Sequence, residues 1–140
     1  MIDKIADFAA LEKSVKSTPD LKYKDSIIAH YKSLGTSLGC TVRDNFSVIK
    51  NTVNYGKLDL IWVEPNIVFA AEFGSIDDIY KHLWRMIELG PKTAVLVLSS
   101  KSACKAEEVV KIIEKSKLTQ DQSKLFLVLD VTENKVLKGL

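Results

Sequence analysis

The first half of the chain alternates between helical and extended patterns of apolar residues. Apolar positions at roughly helical spacing predict a short amphipathic helix over residues 2–15. Thr18-Pro19-Asp20 is typical of a helix start, with a hydroxyl cap, a Pro at the first position and an acid in the first turn. We expect that second helix to run to about Leu38. Residues 40–43 and 45–54 have the pattern of a first strand and of a further strand or hairpin arm.

The second half alternates strands and helices more regularly. Ser75 and Asp78 have the spacing of a capping box and Gly90-Pro91 is a stop signal, so a helix is predicted over residues 76–89. Its predicted inner face consists of Ile76, Ile79, Tyr80, Leu83 and Ile87. The other predicted elements are a buried strand over 93–98, a helix over 103–115, a buried strand over 125–129 and a short edge strand over 134–137.

Residues 57–74 consist of two apolar runs separated by Glu64-Pro65-Asn66. This pattern predicts a β-hairpin that turns at Pro65-Asn66. In that register Asp59 lies directly opposite Glu72, with both side chains on one face of the sheet. Like charges in opposition destabilise a hairpin, and a carboxylate inside an apolar run is costly unless it is neutralised. Because a hard divalent cation binds converging carboxylate oxygens, the pair predicts a metal site.

Together these elements predict an α/β fold, with a mixed β-sheet flanked by helices on both faces in the order α-α-β-β-β-α-β-α-β. The chain of 140 residues has the size of one domain. We expect its core over about residues 20–98, followed by a C-terminal helix and strand over 102–138.

Composition and charge narrow the function only slightly. The hydrophobic fraction of 46% and the charged fraction of 27% are those of an ordinary globular domain. The net charge of +2 is too small to indicate nucleic-acid binding by itself. The sequence has neither a bilayer-spanning apolar run nor a signal-peptide pattern at Met1-Ile2-Asp3-Lys4, so a cytoplasmic location is expected. Cys40 and Cys104 are expected to be unlinked, buried thiols in a reducing compartment.

With these elements and residues, the chain resembles the restriction-endonuclease-like superfamily, known for its PD-(D/E)xK motif, and is most similar to the archaeal Holliday-junction-resolvase type. The resemblance rests on the helix Asp25–Gly35, on Val42-Arg43, on Gly56–Asp59 and on Ala71–Gly74. It covers roughly residues 20–98. The motif is short and degenerate, so the order of the elements contributes more than the individual letters.

The resemblance implies a DNA endonuclease that uses Mg²⁺ or Mn²⁺. Asp59 and Glu72 would hold the metal, and Asp25 on the preceding helix would complete the site. Such an enzyme hydrolyses phosphodiester bonds with a metal-bound water. Because nucleases that cut two strands usually pair two active sites by two-fold symmetry, a homodimer is also expected.

The chain departs from the motif at two positions. Leu58 replaces a Pro that binds nothing, whereas Gly74 replaces the lysine that activates water and stabilises developing charge. Since the predicted register places Lys57 opposite Gly74, we hypothesise that Lys57 supplies the catalytic ammonium from the neighbouring strand. Lys81, on the predicted outer face of the next helix with His82 and Arg85, is a second candidate.

Other interpretations remain open for each of these residues. Asp59 and Glu72 are alternatively structural, as caps or as partners of nearby cations, and Asp25 is alternatively an exposed acid in a first helical turn. His30 and His82 are expected at the surface or half-buried, and Trp62 and Trp84 in the core or a dimer interface. The candidate contacts to a DNA backbone are Arg43, Lys50, Lys81 and Arg85.

Three functions are therefore consistent with the sequence. The first is a Mg²⁺-dependent endonuclease acting on DNA, with Asp59, Glu72 and Lys57 as catalytic residues. The second is a catalytically inactive subunit of the same fold, which binds DNA or serves in assembly. The third is a protein-interaction module that does not bind nucleic acid, which agrees with the weak net charge.

Overall fold

A computed structural model describes all 140 residues and confirms the α/β class: one six-stranded mixed sheet with helices packed against it. The helices are α1 (Ile2–Ile5), α2 (Phe8–Lys16), α3 (Tyr23–Ser37), α4 (Ile76–Leu89) and α5 (Ala106–Lys115), and Gln120–Leu125 forms a short 3-10 helix. The strands are β1 (Val42–Lys50), β2 (Val53–Trp62), β3 (Ile67–Ala71), β4 (Thr93–Leu98), β5 (Phe126–Asp130) and β6 (Lys135–Lys138).

The strands lie in the sheet in the order in which they occur along the chain. β1, β2 and β3 form an antiparallel meander, β3, β4 and β5 are parallel, and β6 returns antiparallel to β5. The parallel pairs are joined through α4 and α5, as expected for strand-helix-strand crossovers.

Each face of the sheet has its own hydrophobic core. The core that includes Ile79, Leu83 and Met86 of α4 also contains Val109 and Ile113 of α5. The other core is built around Trp62, and α1, α2 and α3 cover it with Ile5, Leu11, Ile27 and Tyr31. The prediction of helices on both faces is therefore confirmed, and the side of the sheet on which a polar residue lies determines which helices it can reach.

The N-terminal helices differ from their predicted boundaries. The single helix predicted over 2–15 is interrupted before Asp7, whose carboxylate caps α2 by accepting a hydrogen bond from the Ala10 N–H at 3.1 Å. The helix start predicted at Thr18 is wrong, because α3 begins at Tyr23. The Thr18 hydroxyl instead binds the Ser26 hydroxyl at 2.9 Å and so anchors the loop before α3.

The predicted hairpin is present, but its register is wrong. The turn between β2 and β3 has four residues, 63–66, and Trp62 pairs with Ile67. Glu64 does not extend β2, because its carboxylate accepts hydrogen bonds from the main-chain N–H and the hydroxyl of Thr41. These bonds hold the pKa of Glu64 below its ordinary value. Asp59 therefore does not lie opposite Glu72 in the ladder.

The strands predicted over 40–43 and 45–54 are one long strand, β1, followed by a tight turn into β2. Asn51 and Thr52 form the turn, both with positive φ, as a two-residue hairpin loop requires.

Further along β2 the alternation of faces is broken: Leu58 lies in the α4 core, yet Leu60 lies in the α3 core. The break is centred on Asp59, and Asn45, on the strand opposite, has a φ of 46°.

Helix α4 has the boundaries predicted for it, with a capping box between Ser75 and Asp78 and Gly90 in the left-handed conformation at its end. Its orientation is not as predicted. Ile79 and Leu83 are buried as expected, but Tyr80 is 40% exposed, and His82, predicted at the surface or half-buried, is buried.

The C-terminal elements agree with prediction apart from their ends. β4 has the predicted bounds, α5 begins at Ala106 rather than at 103, and β5 and β6 are each displaced by one residue. Both cysteines are free thiols, as predicted, but only Cys104 is buried and Cys40 is half-buried. Desolvation raises the pKa of each. None of the helices is both long and apolar enough to span a bilayer.

Candidate functional site

Asp59 lies at the twisted middle of β2, where the pairing of β2 with β3 ends. Its Oδ2 accepts a hydrogen bond from the main-chain N–H of Ala71 at 3.0 Å. Its Oδ1 lies 3.3 Å from the Lys24 ammonium in the first turn of α3. The side chain of Asp59 is 18% exposed and that of Lys24 is 40% exposed. Asp59 thus joins three elements, and both of its oxygens have a donor.

Glu72 follows Ala71 directly at the carboxyl end of β3. Because strand residues alternate between faces, the Glu72 side chain is directed to the layer of α4. Its Oε1 lies 2.9 Å from Nε2 of His82 on α4, and its Oε2 accepts a hydrogen bond from the Gly74 N–H at 2.9 Å. The Nδ1 of His82 is buried without a hydrogen-bond partner. Both oxygens of Glu72 are therefore also paired.

The two carboxylates belong to neighbouring positions of the sheet but are directed into different layers. The hydrogen bond between Asp59 and Ala71 brings Asp59 next to the residue that precedes Glu72. Lys24, however, attracts Asp59 toward α3, and His82 holds Glu72 toward α4. No three His, Cys, Asp or Glu side chains are grouped so that they could hold a metal ion. As arranged here, the donor set does not fit Mg²⁺, which needs converging oxygens in near-octahedral geometry.

Asp25, the third predicted ligand, is exposed and lies on the α3 side of the sheet. It lines a groove of about 560 Å³ that also contains Asp59, and Glu72 is not among the lining residues. Across this groove the Lys32 ammonium binds the Asp44 carboxylate at 3.0 Å, and this hydrogen bond holds the pKa of Asp44 below its ordinary value. The groove is lined by Leu21, Lys24, Asp25, Ile28, Ala29, Lys32, Asp44, Asn45 and Asp59.

The register that suggested Lys57 as the catalytic lysine is wrong, so Lys57 does not lie across from Gly74. Its side chain is exposed, and its carbonyl accepts a hydrogen bond from Arg85. Gly74 is tightly enclosed: a Cβ there would lie 2.8 Å from Oδ2 of Asp78 and 2.9 Å from Oε2 of Glu72. A lysine at position 74 would therefore displace both carboxylates from their present places.

The sequence analysis missed Lys24 and expected His82 at the surface or half-buried rather than beside Glu72. Lys24 lies four residues before Ile28 on α3, a spacing that places it beside the half-buried stripe of the helix. His82 lies three residues after Ile79 and four before Met86, both of which are buried, so helical spacing alone could have identified it as an inner residue.

The four residues predicted to contact DNA differ in how far the protein itself engages them. Arg43 is exposed on β1. Lys50 approaches the carbonyl of Glu88 at 3.4 Å, and Lys81 lies 3.8 Å from Asp78. Arg85 donates to the carbonyls of Tyr55 at 2.8 Å and Lys57 at 3.0 Å, so it clamps α4 to β2.

Comparison of the chain with protein-family models, with curated proteins and with solved structures finds no match.

Proposed function

We propose that this protein is a non-catalytic assembly domain with a nuclease-like fold, which acts by binding a protein partner. The observation that supports this most strongly is that all four carboxylate oxygens of Asp59 and Glu72 are paired with donors of the protein itself. The contact with Lys24 directs Asp59 to the layer of α3 and the contact with His82 directs Glu72 to the layer of α4, so the two carboxylates do not converge on one ion. We interpret the two acids as residues that fasten α3 and α4 to opposite faces of the sheet.

The order of elements supports the nuclease-like part of the proposal. From α3 to β4 the chain follows the order helix, three antiparallel strands, helix, parallel strand. Asp59 on the second of these strands and Glu72 at the end of the third are at the motif positions implied by the resemblance. Gly74 at the lysine position, enclosed by Glu72 and Asp78, supports the loss of catalysis.

The distribution of charge favours a protein partner over DNA. The groove between α3 and the sheet contains Lys24 and Lys32, but also the carboxylates of Asp25, Asp44 and Asp59. A groove with more acidic than basic residues does not attract phosphates, and binding to a DNA backbone depends on net neutralisation by Lys and Arg. The net charge of +2 adds little long-range attraction.

A second candidate is the Mg²⁺- or Mn²⁺-dependent DNA endonuclease. Lys24 favours it, because its ammonium lies 3.3 Å from Asp59 and so supplies a cation near the motif acids that position 74 lacks. In this alternative Lys24, rather than Lys57, replaces the missing lysine. The alternative requires that Lys24 and His82 release the two carboxylates, which the proposed function does not.

A cleavage assay separates the two functions. The protein is incubated with single-stranded, duplex, flapped and four-way DNA in the presence of Mg²⁺ or Mn²⁺. We expect no cleavage by the wild type and no difference between it and Glu72→Gln. Cleavage by the wild type that is lost in Glu72→Gln, but retained in Glu107→Gln on the exposed start of α5, would overturn the proposal in favour of the endonuclease.

A further inference from the structure

Helix α4 has an apolar stripe that the rest of the chain covers only in part. Tyr80 is 40% exposed and Trp84 is 47% exposed, and Ile76 at the start of the helix is 36% exposed. The four-residue spacing aligns these three side chains on one side of the helix. The Tyr55 ring of β2 packs edge-on against Trp84, with ring centroids 5.6 Å apart, and fixes the orientation of the indole. Clustered large apolar side chains of this kind mark interaction surfaces.

Charged residues accompany the stripe in a specific order. Lys81 lies three residues before Trp84 and Glu88 lies four residues after it. At 100° per residue, both lie on the same side of Trp84, at about 60° and about 40° from it. Tyr80 and Ile87, which is half-buried against the core beneath α4, lie on the opposite side at similar angles. Trp84 thus has a charged edge on one side and an apolar edge on the other.

This arrangement is complementary to itself. If two copies of α4 pack antiparallel about a two-fold axis at Trp84, residues on the same side of each helix meet. Measured along the helix, Lys81 of one copy lies about 4.5 Å to one side of the two-fold axis. Glu88 of the other copy lies about 6 Å to the same side, so the two charges face each other. By the same rule Tyr80 faces Ile87 of the other copy. Each contact occurs twice, as expected of an isologous interface.

We propose that the α4 face, defined by Tyr80, Lys81, Trp84, Ile87 and Glu88, binds the same face of a second copy of this chain. The inference rests on the proposed assembly function and names its partner. The surface fits DNA less well, because Glu88 and the nearby Asp77 offset Lys81, and Arg85 is held by the carbonyls of β2. The self-complementary charges distinguish a second copy from an unrelated partner.

A charge-swap experiment tests this interface. Sedimentation equilibrium of the full chain should give a dimer for the wild type. Lys81→Glu and Glu88→Lys, each alone, should raise the dimer Kd by about tenfold, because each variant creates two like-charge contacts. The double variant Lys81→Glu/Glu88→Lys should recover most of the wild-type Kd. Lys115→Glu, which repeats the charge change of Lys81→Glu at an exposed position of α5, should leave the Kd unchanged.

Trp84→Ser should give a monomer whose circular dichroism matches that of the wild type, because Trp84 lies outside both cores. A wild type that is monomeric at all concentrations, or a double variant that is weaker than either single variant, would overturn the interface. The DNA cleavage assay on the same preparations keeps the two proposals separate: an inactive monomer contradicts only the interface, and an active dimer contradicts only the non-catalytic function.

Discussion

Oδ2 of Asp59 accepts a hydrogen bond from the main-chain N–H of Ala71 at 3.0 Å, beyond the last paired residues of β2 and β3, Leu60 and Phe69. A side chain here replaces a ladder bond that the diverging strands no longer provide. The same carboxylate binds Lys24 of α3. We therefore interpret Asp59 as a structural connector, with consequences for stability that differ from those of a metal ligand.

Removal of the Asp59 carboxylate should destabilise the fold. Asp59→Ala leaves the Ala71 N–H and the Lys24 ammonium without their acceptor, and we expect a loss of about 1–2 kcal/mol in the free energy of unfolding. Lys24→Met should cost less, about 0.2–1 kcal/mol, because Lys24 is 40% exposed and solvent screens its ion pair. Urea denaturation measures both, and Asp20→Asn, at an exposed acid in the loop before α3, is the control. A metal site without its ion predicts the reverse, since removing one of two repelling carboxylates would stabilise the protein.

Glu72→Ala should be more costly, at about 1–3 kcal/mol. It removes the acceptor of the Gly74 N–H and leaves buried His82 without a partner on either ring nitrogen. Thermal denaturation of this variant beside Glu107→Ala, an exposed acid of α5, provides the measurement. Equal melting temperatures for the two variants would show that the pair of Glu72 and His82 contributes nothing to stability.

Restoring the motif lysine should not restore an enzyme. Gly74→Lys places a Cβ within 2.9 Å of the Glu72 carboxylate and 2.8 Å of the Asp78 carboxylate, and Asp78 belongs to the capping box of α4. We expect a loss of about 1 kcal/mol or more through the disturbed cap, and no DNA cleavage. Gly139→Lys, in open space near the C-terminus, should be neutral in both measurements. Cleavage by Gly74→Lys would indicate that the remaining residues still form a competent site.

His30 should make the stability depend on pH. Burial lowers the pKa of His30, against a smaller opposing effect of Asp7, and its Nδ1 bonds the Ser14 hydroxyl at 2.7 Å. Between pH 6.5, the ordinary pKa of histidine, and the lower pKa of His30 in the folded protein, the unfolded chain therefore binds more protons than the folded protein. The wild type should lose stability over that range more steeply than His30→Gln. Parallel curves of the unfolding free energy against pH would contradict this account.

The sequence predicted most reliably those elements whose ends are determined locally. Helix α4 has the predicted bounds because Ser75, Asp78 and Gly90 act within a few residues of each end. β4 was recognisable because every residue after Thr93 is apolar, and the whole strand is buried. The strand-helix-strand order accounts for the layer of α4 and α5 on one face, and the N-terminal helices cover the other face.

The site could not be predicted in the same way, because distant contacts determine it. The bond of Glu64 to Thr41 lengthens the turn after β2 and shifts the register on which the opposition of Asp59 and Glu72 depended. The change of faces at Asp59 adds to this, since an unbroken alternation would place Leu58 and Leu60 in the same core. The pairings of Lys24 and His82 arise only when α3 and α4 pack on the sheet.

Direct binding of Mn²⁺ is the most decisive test of the claim that Asp59 and Glu72 are structural. Electron paramagnetic resonance reports the free ion, whose signal falls when a protein carboxylate site captures it. We predict that the wild type and the Asp59→Asn/Glu72→Gln variant leave the same free Mn²⁺ signal over the whole titration. Capture of one ion per chain by the wild type, absent in the double variant, would contradict the account.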